Sequence, residues 1–226
     1  MFKYLSYEGV PVSNETLRRF CNDSSDNLAW MEAQGVPFSS SFSEKRVAYP
    51  PDGFYLYYTG MEKFRSQVAR VPPRGHRTVG KGPTGRFLYA ALRQSALNKG
   101  IDFHPHCPVR RLITSQDGEV LGVEVQEIPT ESRVTHQKLF DKVSPYKMMH
   151  GETAERAVAE CRLFEQSLPQ RRVRIRARKG VVLSAGGYNY NLELYGRYRP
   201  IVKDVYREIM RTGSMGCDGS GMELGV

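Results

Sequence analysis

The chain has 226 residues, 40% of them hydrophobic, and a formal net charge of +9 at pH 7, enough for one large globular domain or two small ones. No apolar run approaches the roughly 20 residues that span a bilayer, and the first residues lack the charged, apolar and cleavage regions of a signal peptide. Cys21, Cys107, Cys161 and Cys217 are scattered without a CxxC pair, so spacing suggests neither a zinc site nor a disulfide framework, and a reducing cytoplasm fits.

The excess positive charge raises nucleic acid as a partner. However, the densest basic run, Arg171, Arg172, Arg174, Arg176, Arg178 and Lys179, alternates with apolar residues, as the solvent face of a strand does. Small anionic ligands, nucleotides and carboxylates, are the better match, and nucleic acid is set aside.

The spacing of Leu17, Phe20, Cys21, Leu28 and Met31 predicts a helix over 13–34. Ser13 or Asn14 can cap it, Glu15 suits the positive end of its dipole, Gly35 stops it, and its apolar stripe is expected to be ordinary core. Residues 36–83 hold Pro37, Pro50, Pro51, Pro72, Pro73 and Pro83, which exclude continuous helix or central strand. A stretch this long without regular structure is often functional. Within it, Asp52–Gly60 carries Tyr55, Tyr57 and Tyr58, whose phenols can hold or pass a proton. A short β-ribbon with packed aromatics accounts more simply for any single tyrosine. The basic loop that follows, with Arg65, Arg70, Arg74, His76, Arg77 and Lys81, suits either an anionic site or solvent.

Gly80–Gly85 matches GxGxxG, but that fingerprint needs an apolar strand before it. Here the preceding Arg74–Val79 is basic and Pro83 lies inside the loop. Thr84 as N-cap of a helix over 86–99, closed by Gly100, is the simpler reading.

From residue 101 the pattern turns to β. Strands are expected at Ile101–His106, Val109–Thr114 and Glu119–Gln126, with Asp117-Gly118 as a hairpin turn. Residues 128–170 read as a polar, irregular insertion in a β-ribbon, with a helix near 152–167, and Arg172–Ala177 resumes the alternation. Val181-Val182-Leu183 has the length and branching of a buried parallel strand. It runs into Ser184-Ala185-Gly186-Gly187, where tandem glycines let a ligand approach the backbone, at the strand end where doubly wound sheets bind ligands. A plain strand ending in a flexible turn uses the same residues. Met222-Glu223-Leu224 reads as the start of a helix.

The order of these parts, ending in Lys179-Gly-Val-Val-Leu-Ser-Ala-Gly-Gly-Tyr-x-x-Asn191, resembles the fumarate reductase/succinate dehydrogenase flavoprotein family, which includes the 3-ketosteroid dehydrogenases. Asp218-Gly219-Ser-Gly221-Met222 is similar to a later Gly-Asp-Gly-x-x-Met segment of that family. Pro50-Pro-Asp-Gly with its tyrosines, Thr-Gly-Met-Glu62 and Pro72-Pro-Arg-Gly-His76 resemble the ketosteroid dehydrogenase members most.

The resemblance implies an α/β, Rossmann-like FAD-binding domain of the glutathione-reductase type, with FAD as cofactor. It implies that Val109 lies beside the adenine, that Ala185, Gly186 and Gly187 line the FAD, and that Asp218 and Gly219 approach the flavin. Tyr55, Tyr57 or Tyr58 would take a substrate proton, on a steroid. A fumarate reductase-like reading would instead give Arg74, His76 and Arg77 a dicarboxylate. The family's dinucleotide fingerprint strand, capping domain and C-terminal return are missing from these residues. The sequence therefore reads as the middle portion of a longer flavoenzyme, with unpaired sheet edges that favour a homo-oligomer. The alternative is an inactive flavin-domain remnant.

Overall fold

The structure is a computed structural model that describes residues 1–58, 60, 66–69, 73–143, 151–206, 209, 211 and 213–225. These residues form two compact units, Met1–Phe103 and His104–Val226.

In the first unit α1 (Phe2–Tyr7) packs on α2 (Asn14–Ala33). The caps of α2 are as expected: Ser13 Oγ accepts from the Thr16 amide at 3.1 Å, and Gly35 follows at φ +92°. Its apolar stripe is not the expected core, since Leu17 alone is fully buried and Phe20 is 59% exposed. A six-residue α1 covers only a short length of that stripe.

The proline-rich stretch contains β1 (Leu56–Tyr57) and β2 (Gly75–His76), a two-residue antiparallel ribbon. Of the residues singled out there, Thr59, Met61, Glu62, Arg65, Arg70 and Pro72 lie outside the described ones. Arg77 holds the remainder together. Its buried guanidinium donates to the carbonyls of Pro50, Gly80 and Gly82 and pairs with Asp52 at 2.8 Å. Backbone carbonyls that lack ladder partners are thus satisfied by one five-donor side chain. α3 (Gly85–Asn98) follows, closed by Gly100 at φ +77°. Thr84 sits at its N-cap position, but its side chain makes no cap bond. The cap is the phenol of Tyr49, which accepts from the Thr84 amide at 2.8 Å. No strand leads into Gly80–Gly85, because β2 ends at His76.

In the second unit β3 (Val109–Thr114), β4 (Val120–Glu127) and β5 (Arg171–Arg176) form an antiparallel sheet in the order β3-β4-β5. The turn at Asp117-Gly118 is as expected, with Gly118 at φ +84°. No strand forms over Ile101–His106, where Pro105 lacks a ladder donor. Between β4 and β5 the chain runs through α4 (Arg133–Asp141) and α5 (Gly151–Ser167). The sequence pattern signals α5 but not α4. This polar stretch supplies most of the unit's core: Val143, Ala154, Ala157, Val158 and Cys161 pack with Tyr190 and Met215. Three short helices, α6 (Leu192–Tyr198), α7 (Pro200–Lys203) and α8 (Ser220–Leu224), complete the unit.

The alternation in β4 is present, but its polar face is not solvated. Glu124 is 3% exposed, beneath Arg111 of β3 at 2.9 Å and Arg174 and Arg172 of β5 at 3.4 and 3.6 Å. Two arginines of the densest basic run, Arg172 and Arg174, thus lie over an internal carboxylate.

Val181–Leu183 is not a strand, and Val182 is 91% exposed. A buried parallel strand needs paired neighbours and cover on both faces. The described residues supply no ladder partner for it. The fold is therefore mixed helix and sheet, and its named strands are all antiparallel.

Candidate functional site

The glycine turn after Leu183 folds against the segment 213–221, and glycines at both sides permit the approach. A Cβ on Gly221 would lie 2.8 Å from Ala185 Cβ, and one on Gly219 would lie 2.1 Å from Leu194 Cδ1. Gly186 and Gly219 both stand at φ +84°, where a side chain is strained. The two segments are pinned by the Gly219 amide donating to the Gly187 carbonyl at 2.9 Å and the Tyr190 amide to the Cys217 carbonyl at 3.0 Å. Asn191 closes the corner. Its Nδ2 donates to the Asp218 carbonyl at 2.8 Å, while its Oδ1 caps α6 by accepting from the Leu194 amide at 3.0 Å. The Asp218 carboxylate is held internally, by Arg162 at 3.3 Å and the Ser220 amide at 3.0 Å. α8 lies against β3, the strand that Val109 opens.

The structure thus brings together Ala185, Gly186, Gly187, Asp218 and Gly219, which lie some thirty positions apart in the chain. Gly187 differs from its neighbours. It is exposed, its φ is ordinary, and an added Cβ would meet nothing. Folding does not require a glycine there, whereas close approach of a ligand to the backbone does. Among the described residues none accepts a hydrogen bond from the amides of Ala185, Gly186 or Gly187.

The tyrosines lie in the first unit. Tyr57 lies in β1, with Tyr55 just before the strand and Tyr58 just after it. The Arg77 guanidinium stands 4.5 Å from the Tyr49 ring centre and 5.3 Å from that of Tyr55. Burial, then the neighbouring Tyr49, push the Tyr57 phenol above its ordinary value, with Arg77 opposing. Tyr58 packs edge-on against Phe42 at 5.5 Å. Tyr49 has two roles, cap of α3 and platform for Arg77, that sequence reasoning missed. Its only signal was a tyrosine one residue before a proline pair. Arg77 is committed to Asp52 and to loop carbonyls, so its charge is not presented to a dicarboxylate.

The FAD binding domain model matches residues 12–226. The chain belongs to the FAD binding domain family. It is 36% identical to the 3-oxo-5-alpha-steroid 4-dehydrogenase of Comamonas testosteroni, aligned over the whole of this chain and 43% of that protein, so it spans less than half of this relative. The 3-ketosteroid-delta4-(5alpha)-dehydrogenase from Rhodococcus jostii RHA1, solved with 4-androstene-3,17-dione, superposes with a TM-score of 0.69 at 23% identity, over 96% of this chain and 37% of that one. An open flavocytochrome c3 fumarate reductase superposes with a TM-score of 0.51 at 24% identity, over 90% of this chain and 24% of that one. At these identities the two superpositions speak for the fold. The cofactor of the family is FAD, and the glycine turn fits it. An exposed glycine backbone with amides turned to no described acceptor, and open space where a side chain would stand, can hold a nucleotide cofactor.

Proposed function

We propose that this chain is the middle portion of a longer FAD-dependent oxidoreductase that dehydrogenates a CH–CH bond, with a 3-ketosteroid as substrate. The open backbone at Gly187, beside Gly219, carries the reading, and the steroid dehydrogenase relative supports the substrate class. Ala185, Gly186 and Gly187 would hold the FAD by their backbone, with Asp218 and Gly219 toward the flavin and Val109 toward the adenine. When bound, FAD supplies the hydride acceptor. The chain's own contribution would be a tyrosine of β1 or its flank, Tyr55, Tyr57 or Tyr58, that takes the proton from the adjacent substrate carbon. Val181–Leu183 would join a Rossmann-like parallel sheet in the longer protein, and α4 and α5 would be an insertion in its β-ribbon. The cysteines are free and no helix among the described residues is long and apolar enough to cross a membrane. Both fit a cytoplasmic enzyme of small molecules. Arg171, Arg172 and Arg174 of β5 pair with Glu127 and Glu124, which draws part of the basic run's charge into the fold.

A second reading has one observation in its favour. Val182 is 91% exposed, so these residues alone would be a remnant that does not close the cofactor site. One experiment separates the two. The 226 residues are purified with excess FAD, freed of unbound ligand by gel filtration, and examined by visible spectroscopy. A retained flavin band, with 3-ketosteroid turnover by the longer protein, is the expected result. A folded chain without flavin, and a longer protein without flavin, would remove the proposal.

A further inference from the structure

The hairpin of α4 and α5 gathers metal-ligating side chains that the flavin reading does not use. Cys161 and Glu165 stand four residues apart on one face of α5, and His136 meets them from α4. One donor atom from each lies within 4.8 Å of the other two. His136 Nε2 is 2.9 Å from Glu165 Oε1. On the far side of the same ring, His136 Nδ1 is 2.8 Å from His106 Nδ1. His106 reaches this place at φ +59°, a backbone conformation uncommon for any residue but glycine. Cys161 is fully buried and His136 is 7% exposed, among the apolar residues of the unit's core.

We infer that His136, Cys161 and Glu165 bind a divalent transition ion, zinc above all, with water as fourth ligand and His106 as the outer partner of the His136 ring. One nitrogen, one sulfur and one carboxylate oxygen form a donor set suited to an ion of borderline softness, and three protein ligands plus water is a known zinc arrangement. Tetrahedral zinc bonds place such donors roughly 3.3–3.6 Å apart, so ordinary side-chain rotation closes the site. The charges also balance. A divalent cation is neutralised by one carboxylate and one thiolate, which suits a pocket where an uncompensated charge is costly.

The protons balance as well. Burial pushes the free Cys161 thiol up to about 11, so binding releases its proton to solvent as the metal–sulfur bond forms. His136 Nε2 must present a lone pair, so its ring proton lies on Nδ1 and is donated to His106. A hydrogen-bonded partner on the second ring nitrogen is the usual way in which a ligating histidine is oriented. The spacing of the cysteines could not reveal this set, because its three ligands are of different types and lie on two helices.

Cobalt(II) is the probe, titrated into the whole chain under reducing conditions. One equivalent is expected to bind, with thiolate-to-cobalt charge-transfer absorption in the near ultraviolet. Cys161→Ser removes that absorption and Cys217→Ser keeps it. Glu165→Gln weakens binding at least about tenfold, and His106→Phe about tenfold to a hundredfold. Because Cys161 lies in the core, far-ultraviolet circular dichroism checks the fold of its variant. Glu165→Gln, at a partly exposed position, reports independently: zinc raises the melting temperature of the unaltered chain and not that of this variant. A folded chain that takes up neither metal overturns the inference. So does a charge-transfer band that survives Cys161→Ser, or a zinc affinity unchanged by Glu165→Gln.

Discussion

Adding a single methyl group at Gly187 separates a glycine kept for a ligand from one kept for the fold. The Cβ of Gly187→Ala would meet nothing within 4 Å, and the backbone there is not in the left-handed region. The variant should therefore fold with the stability of the parent, within about 0.5 kcal/mol. If FAD lies against this backbone, the methyl occupies its contact surface, and retention should fall at least about tenfold, or about 1.4 kcal/mol. Gly219→Ala is the opposite case. Its φ of +84° costs an alanine about 1–2 kcal/mol. Its Cβ would stand 2.1 Å from Leu194 Cδ1 and 3.3 Å from Tyr188 Cβ, and overpacking of that kind costs about 1–3 kcal/mol. The sum, about 2–5 kcal/mol, lowers the melting temperature by roughly 4–20 °C in a chain of this size. The assay is a thermal melt of these 226 residues, together with flavin retention after gel filtration in the longer protein. A Gly187→Ala variant that keeps its flavin as the parent does would refute the reasoning. So would a Gly219→Ala variant that melts with the parent.

Other substitutions test the remaining arguments. Tyr49→Phe removes the acceptor of the Thr84 amide; the loss should be about 0.5–2 kcal/mol, with faster amide exchange confined to the first turn of α3. Glu124 is held below the ordinary carboxylate value first by its hydrogen bond to Arg111, with further help from Arg174 and Arg172. A depressed acid stabilises the fold above its unfolded value, near 4.5, and this contribution is lost as pH falls through the folded value. Glu124→Gln should therefore unfold at lower urea than the parent at neutral pH, and the gap should close on acidification. Equal midpoints at neutral pH would count against the arginine cover. The Tyr190 hydroxyl is buried with no hydrogen-bond partner among the described residues. Tyr190→Phe should raise the melting temperature or leave it unchanged, and a fall would mean the hydroxyl is satisfied. If one of Tyr55, Tyr57 and Tyr58 takes the substrate proton as proposed, its phenylalanine variant in the longer protein should lower kcat by about 10²–10⁴-fold on a 3-ketosteroid. Three phenylalanine variants with unchanged kcat would exclude the tyrosines.

The local rules carried much of this molecule. Ser13, Gly35 and Gly100 marked helix ends, Asp117-Gly118 marked the hairpin, and alternation marked β3, β4 and β5, because each depends on neighbours in the chain. The motifs after Lys179 and at Asp218 were legible as a flavin-domain signature through their resemblance to the flavoprotein family, and the FAD binding domain match over residues 12–226 bears that resemblance out. Tertiary structure alone decided the rest. Whether Val181–Leu183 is a buried strand depends on sheet partners, and the described residues supply none. Whether Arg77 faces a substrate or its own loop depends on Asp52 and Pro50, some 25 residues earlier. The polar stretch between β4 and β5 reads as surface, yet it builds the unit's core, because the face of α5 that carries Ala154, Ala157 and Cys161 is covered only by residues distant in the chain, Tyr190 and Met215 among them. Sequence sets what each residue can do locally; contacts between residues distant in the chain set which of those capacities face a ligand and which are spent inside the fold.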